Sequence, residues 1–160
     1  MIELALYQPD NPRNTGTLIR LGACLGVPVH IIEPCGFPFS TRSSGKALKA
    51  GLLDYLEAAD IRHHMDWAAF QAATDGHRIL LMTTKGSVGY TDFSYQPGDI
   101  LLMGQESAGV PTEIANHADA RLRIPMRPGL RSINVALSAA MVVGEALRQT
   151  GAFHKMEHQE

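Results

Sequence analysis

The chain has 160 residues, 45% of them hydrophobic and 19% charged, with a formal net charge of −2. That balance describes one globular domain large enough to bury its apolar surface unaided, and it excludes a disordered chain or a disulfide-stapled mini-protein. No apolar run approaches the roughly 20 residues of a membrane span, and the slightly acidic total excludes a uniformly basic nucleic-acid binder.

The chain opens on a β-like run, Ile2–Tyr7, ended by Pro9 and Pro12. A helix is expected near Thr15–Leu25, because Leu18, Ile19, Leu21 and Leu25 recur at helical spacing and Gly26 suits the position after its last turn. Val29–Ile32 reads as a second strand, so the opening is β–α–β and needs a parallel sheet. Phe37–Ala50 is polar and rich in Gly and Ser, which predicts a loop running into a short helix at Ala47–Gly51. Asp54–Arg62 is expected to hold a strand or extended piece. Asp66–Ala73 reads as an amphipathic helix packed through Trp67 and Phe70.

Buried strands are expected at Arg78–Thr83, Ile100–Met103 and Arg121–Ile124. Pro111–Asn116 has the signature of a short helix start. Ser132–Thr150 is predicted as the closing helix, with Ser132 placed to cap it. His154–Glu160 is polar and expected to fray. Alternating strands and helices argue an α/β fold with helices on both faces of the sheet. In such sheets ligands bind beyond the carboxyl ends of the strands. The loops Thr83–Gly86, Gly104–Gly109 and Pro125–Ser132 all follow strands and should converge there.

Several chemistries are poorly supported. The chain has no GxGxxG fingerprint after its first strand, no Walker A sequence and no GxSxG elbow. The seven histidines are dispersed without an HxxxH pair, so surface histidines are a better reading than a metal site. Cys24 and Cys35 form no CxxC pair; Cys24 lies in an apolar helical pattern and is read as a buried free thiol. The opening residues are too acidic for a signal peptide, and a reduced cytoplasmic setting is expected.

Three stretches carry the functional signal, each with a bland alternative. RIPMRPGLRSINVA (123–136) is an ordinary strand–helix turn or a rigid ligand loop shaped by Pro125, Pro128 and Gly129. GQESAG (104–109) is a tight turn or a pocket whose glycines admit close backbone approach, with Glu106 as an acceptor. In NTGTLIR (14–20), Arg20 is a surface salt-bridge partner or a guanidinium facing a phosphate or hydroxyl. Arg121, Arg123, Arg127 and Arg131 fall within eleven residues, a solvated basic loop or a phosphate-binding patch.

Taken together and in this order, NTGTLIR, LMGQESAGVP and IPMRPGLRSINVA resemble the three motifs of the SPOUT RNA methyltransferases. The opening MIELALYQPDNPRNTGTLIRLGACLGVPVHIIEP resembles that of the small TrmL-like tRNA wobble-nucleotide 2′-O-methyltransferases, and the likeness spans nearly the whole chain. The resemblance implies a single-domain parallel-sheet fold over residues 1–152 with a deep C-terminal trefoil knot, followed by a polar tail at 153–160. It implies S-adenosylmethionine as methyl donor, lined by Met82, Gly104, Glu106, Ile124, Ser132 and Ile133, and no metal. Arg20 would help deprotonate the ribose 2′-OH. Asn14, Ser132 and Asn134 would orient loops or substrate around it. The partners implied are the tRNA anticodon stem-loop and a second copy of the chain, with the active site near the dimer interface. Methylation of another tRNA or rRNA nucleotide, and a non-catalytic RNA-binding role, are the alternatives. The chain departs from the group's pattern at Ala136, commonly serine, at Gly144, commonly tyrosine, and in a slightly longer Phe39–Lys49 loop.

Overall fold

Apolar residues alternate along each strand and settle which way every strand faces. In β1 (Glu3–Tyr7), Leu4 and Leu6 join one core while Ala5 and Tyr7 join the other. In β6 (Ile100–Met103), Leu101 and Met103 face the first core, and Ile100 and Leu102 the second. This is the two-residue period of a sheet covered on both sides. The computed structural model describes residues 1–39, 52 and 55–157. The predicted loop and short helix at Phe37–Gly51 lie largely outside the described residues.

The remaining strands are β2 (Val29–Ile32), β3 (Ile61–His64), β4 (Ile79–Met82), β5 (Val88–Gly89) and β7 (Ala120–Arg123). Among the described residues they form one sheet in the order β3-β2-β1-β6-β4-β7-β5, with every pairing parallel. Helices α1 (Pro12–Leu25) and α4 (Val135–Gln149) cover the first face; Leu18, Ile19, Ala139, Val142, Val143, Ala146 and Leu147 are buried there. Helices α2 (Trp67–Ala73) and α3 (Thr112–His117) cover the other through Phe70 and Ile114, and the short α5 spans Ala152–Glu157. Leu80, Leu101 and Ile100 are fully buried. Each such side chain stabilises the fold by about 1.5–3 kcal/mol relative to exposure.

Helix ends follow local chemistry. Asn11 caps α1 by accepting from the amides of Arg13 and Asn14 at 3.0 and 3.2 Å. Gly26 closes α1 at φ 61°, a left-handed conformation that side chains resist. Asp66 caps α2 by accepting from Ala69 N–H at 2.7 Å.

The structure corrects several expectations. Asn134, not Ser132, caps the closing helix, accepting from Ala136 and Leu137 at 2.9 and 3.3 Å; the chain from Pro125 to Ile133 stays irregular. Of the Asp54–Arg62 stretch expected to hold a strand or extended piece, residues 55–58 form a turn and β3 starts only at Ile61. The two-residue β5 has no hydrophobic run to announce it. The tail does not fray at once: Ala152 is buried, and Met156 packs against the core. Cys24 is exposed, because the outer stripe of α1 runs Arg13, Thr17, Arg20, Cys24.

Two histidines are not on the surface. His30 and His64 retain only 2% and 8% exposure, because β2 is flanked by β1 and β3 and both rings point under Phe70. His30 Nδ1 lies 2.8 Å from His64 Nε2, and its Nε2 lies 2.7 Å from the Glu3 carboxylate, which also accepts from Arg62 at 3.0 Å. The chain is satisfied when both histidines are neutral and each donates one N–H toward Glu3. Burial, for His64 with the neighbouring His30 added, holds both rings below the ordinary histidine value of 6.5. Below that pH the unfolded chain therefore binds protons that the folded chain does not. Unfolding free energy measured in urea should fall as pH drops below about 6.5. The loss should shrink in a His64→Gln variant, and a flat profile between pH 7.5 and 5.5 would contradict this account.

Candidate functional site

The carboxyl ends of β6, β4 and β7 lie side by side, so the loops that leave them share one place. Met103, Met82 and Ile124 form the floor where the strands stop. Thr83–Lys85, the Gly104–Val110 loop and the Met126–Val135 stretch rise around it to enclose a cavity of about 700 Å³. All three loops predicted to converge do so. Met82, Gly104, Glu106, Ile124, Ser132, Ile133 and Asn134 all line the cavity.

Gly104 is required by close approach. A Cβ there would come within 2.6 Å of the Gly109 carbonyl carbon. The two ends of the loop exchange backbone hydrogen bonds, Gln105 to Gly109 and back, both at 2.9 Å. Any side chain at 104 would force that narrow loop apart.

The loop is tied to the start of α1. Asn11 and Asn14 both donate side-chain N–H groups to the same Glu106 oxygen, Oε2, at 3.1 and 2.6 Å. Asn134 donates its side-chain N–H to Asn14 Oδ1 at 3.2 Å. Asn14, Glu106 and Asn134 are thus one connected group, with Asn14 lining a small recess beside the main cavity. Asp10 accepts from the amides of Glu106 and Ser107, both at 3.3 Å, and from the Ser107 hydroxyl. Burial alone would push the Asp10 carboxyl up, but these donors outweigh it and hold it below the ordinary carboxylate value. Gln105 donates to the Gln8 carbonyl at 3.0 Å, bracing a residue whose φ of 42° is left-handed.

The sequence pointed to none of Asp10, Asn11 and Gln105. Asp10 and Asn11 read as turn formers beside two prolines, and their second task appears only when the 104–109 loop is folded against them. Thr83, Thr84 and Lys85 were placed at the site by their loop, without individual roles. Arg121 and Arg131 line the cavity; Arg121 is fixed by Ala115 O and Asn116 Oδ1 at 3.1 and 2.7 Å. Arg123 instead donates to Gly86 O at 3.1 Å and braces a neighbouring loop.

Arg20 is not gathered with the others. Asn14 sits in the first turn of α1, beside the cavity, and Arg20 lies six residues, or about 9 Å, further along the helix. It is exposed, and its guanidinium stacks over Tyr55 with Cζ 4.5 Å from the ring centre. Thiol chemistry finds no support at Cys35, where burial, with Glu33 nearby, pushes the thiol up to about 12. Among the described residues no cluster of His, Cys, Asp or Glu could hold a metal.

Comparison with known proteins follows the same outline. The SpoU rRNA Methylase family model matches residues 1–144. A relative from Beijerinckia indica named tRNA (cytidine(34)-2′-O)-methyltransferase is 54% identical over 155 residues, covering 96% of this chain and 94% of its own. A solved structure bearing on 2-OH methylation of C/U34 on tRNA superposes with a TM-score of 0.87 at 38% identity, covering 93% of this chain and 95% of that one. An AdoMet-bound rRNA methyltransferase from Sinorhizobium meliloti superposes at 0.80 with 27% identity, covering 92% of this chain and 56% of that one. Fold and sequence agree across almost the full length, and the chain belongs to the SpoU rRNA Methylase family.

Proposed function

We propose that this protein transfers a methyl group from S-adenosylmethionine to the ribose 2′-OH of the tRNA wobble nucleotide, cytidine or modified uridine 34, and works as a homodimer. The observation that carries the reading is the meeting of Met82, Gly104, Ile124 and Ser132 at one cavity formed by three adjacent strand ends. The cavity suits an adenosyl ligand: methionine and isoleucine side chains offer apolar walls, and exposed loop backbone offers donors and acceptors. Met82, Gly104, Ile124, Ser132 and Ile133 would hold it. When bound, S-adenosylmethionine supplies an electrophilic sulfonium methyl, and such a transfer calls for an aligned oxygen rather than a metal. The family resemblance puts a trefoil knot in the C-terminal part of the fold, which would fix the 104–109 and 125–134 loops as walls of the cavity.

In this reading Glu106 lines the cavity as an acceptor whose Oε2 is held by Asn11 and Asn14. Arg121 and Arg131 offer positive charge at the rim to nucleic-acid phosphates. Arg20 meets the ribose oxygen, and it does so in the cavity of a second copy. Support comes from its place about 9 Å along α1 from Asn14 and from the surface it shares. Helices α1 and α4 pack together, and α4 exposes Leu137 and Met141 in line with Gly144, beside which a side chain would meet open space. An apolar stripe ending at a glycine suits close approach of a symmetric partner.

Two experiments test the reading. Labelled S-adenosylmethionine with tRNA from a strain lacking this protein should give a 2′-O-methylated pyrimidine at position 34 on nucleoside analysis. Transfer to rRNA alone would move the target, and donor binding without transfer to any RNA would leave a binding protein. Arg20→Ala and Asn134→Ala should each lose activity by on the order of 100-fold. Mixed under exchange, they should recover about a quarter of wild-type activity, since half the dimers are mixed and each has one intact site. Recovery no greater than the sum of the two variants would place Arg20 in its own protomer's site or leave the chain a monomer.

A further inference from the structure

We infer that Tyr55 is a positioning residue for Arg20, fixing its guanidinium as an aimed, charged donor; this rests on the reading of Arg20 as the group that meets the ribose oxygen. Two contacts are made at once. Arg20 Nη2 donates to the Tyr55 hydroxyl at 3.1 Å, and Arg20 Cζ lies 4.5 Å from the Tyr55 ring centre. The planar guanidinium is suited to this pairing, because its face stacks on the ring while its edge hydrogen-bonds.

Tyr55 comes from the connection between β2 and β3, far along the chain from α1. It is half-buried and begins a tight turn: its amide donates to Leu52 O at 2.9 Å, and its carbonyl accepts from Ala58 N–H at 3.2 Å. The ring is therefore a fixed platform, while an arginine on an exposed helix stripe is otherwise free to sample many rotamers. Stacking removes most of that freedom before substrate arrives. It uses one of five N–H groups on the guanidinium, so the rest remain to donate to a ribose hydroxyl or a phosphate oxygen. The group is an acceptor-free cation, so its contribution is orientation and charge at the reacting oxygen rather than acceptance of the proton.

The test uses the full-length protein and single-turnover methyl transfer to tRNA. Tyr55→Leu should slow transfer by about tenfold or more, because a misaimed group loses much of its effect. Cofactor affinity measured by calorimetry should stay within about twofold, since Tyr55 does not line the cavity. Tyr55→Phe keeps the stack and should lose less than about fivefold. Arg20→Ala with Tyr55→Leu should be no slower than Arg20→Ala alone, as for two residues acting as a unit. By NMR, the Arg20 side-chain protons should show ring-current shifts in wild type and Tyr55→Phe that vanish in Tyr55→Leu. Tyr55→Leu at wild-type rate with Arg20→Ala inactive overturns the inference and leaves the reading of Arg20 standing. Arg20→Ala at wild-type rate overturns both. If Tyr55→Leu does not fold, unshifted Arg20 protons in the wild-type protein overturn the inference alone.

Discussion

One carboxylate oxygen joins the parts of the site. Glu106 Oε2 accepts from Asn11 and Asn14, and Asn14 in turn accepts from Asn134. Asn11 and Asn134 are also the N-caps of α1 and α4. Each uses its side-chain oxygen for the helix and its amide nitrogen for the site. An asparagine carries an acceptor and two donors on one rigid plane, so fixing one end aims the other. The register of two helices and the pose of the 104–109 loop are thereby coupled through two residues. A serine or aspartate would cap either helix as well but would lack the amide donor.

That coupling is one of several that hold the 104–109 loop in place. The loop between β6 and α3 is closed by its own Gln105–Gly109 pair, held from outside by Asp10, and threaded to Gln8 through Gln105. Each bond is individually worth about 1 kcal/mol. Their effect is cooperative, because the bonds to Asp10 and Gln8 form only when the β1–α1 connection lies beside the β6 loop. The sheet order guarantees that neighbourhood: β1 pairs directly with β6, Leu6 opposite Met103. The strained φ at Gln8 belongs to the same device, since the turn it makes carries Asp10 and Asn11 over the loop.

Much of this was legible in the residues. Apolar runs marked β1, β2, β4, β6 and β7 to within a residue or two, and Gly26 marked the end of α1. The three loops were recognised because Gly, Pro and polar groups cluster where strands end. What was missed has a common cause. Ser132 lost the capping role to Asn134 because both residues can cap, and the irregular backbone continues two residues further than the serine. His30 lies in the apolar strand VHII and His64 at the end of the more polar strand IRHH. Their burial depends on partners from β1 and α2 that no local pattern predicts. Cys24 fell on the outer stripe because α1 has a narrower apolar face than its composition suggests. Asp10 and Tyr55 could not be assigned, since each acts on a residue far away in sequence.

The placement of Arg20 is the most informative of these long-range facts. A helix that follows a strand in a parallel sheet runs back toward the strand's beginning, so only its first turn can serve a site at the strand's end. Asn14 is in that turn and is used there; Arg20 is not. A guanidinium two turns down α1 is thus either irrelevant to the cavity below Asn14 or directed at another cavity. An exposed arginine without a task would gain little from a fixed aromatic platform, yet this one stacks on Tyr55 and donates to its hydroxyl. Helix α1, which carries it, packs against α4, on which Leu137 and Met141 meet solvent. In the dimer proposed above, a second copy related by a two-fold axis would cover these apolar residues and bring the arginine to a ligand through one contact.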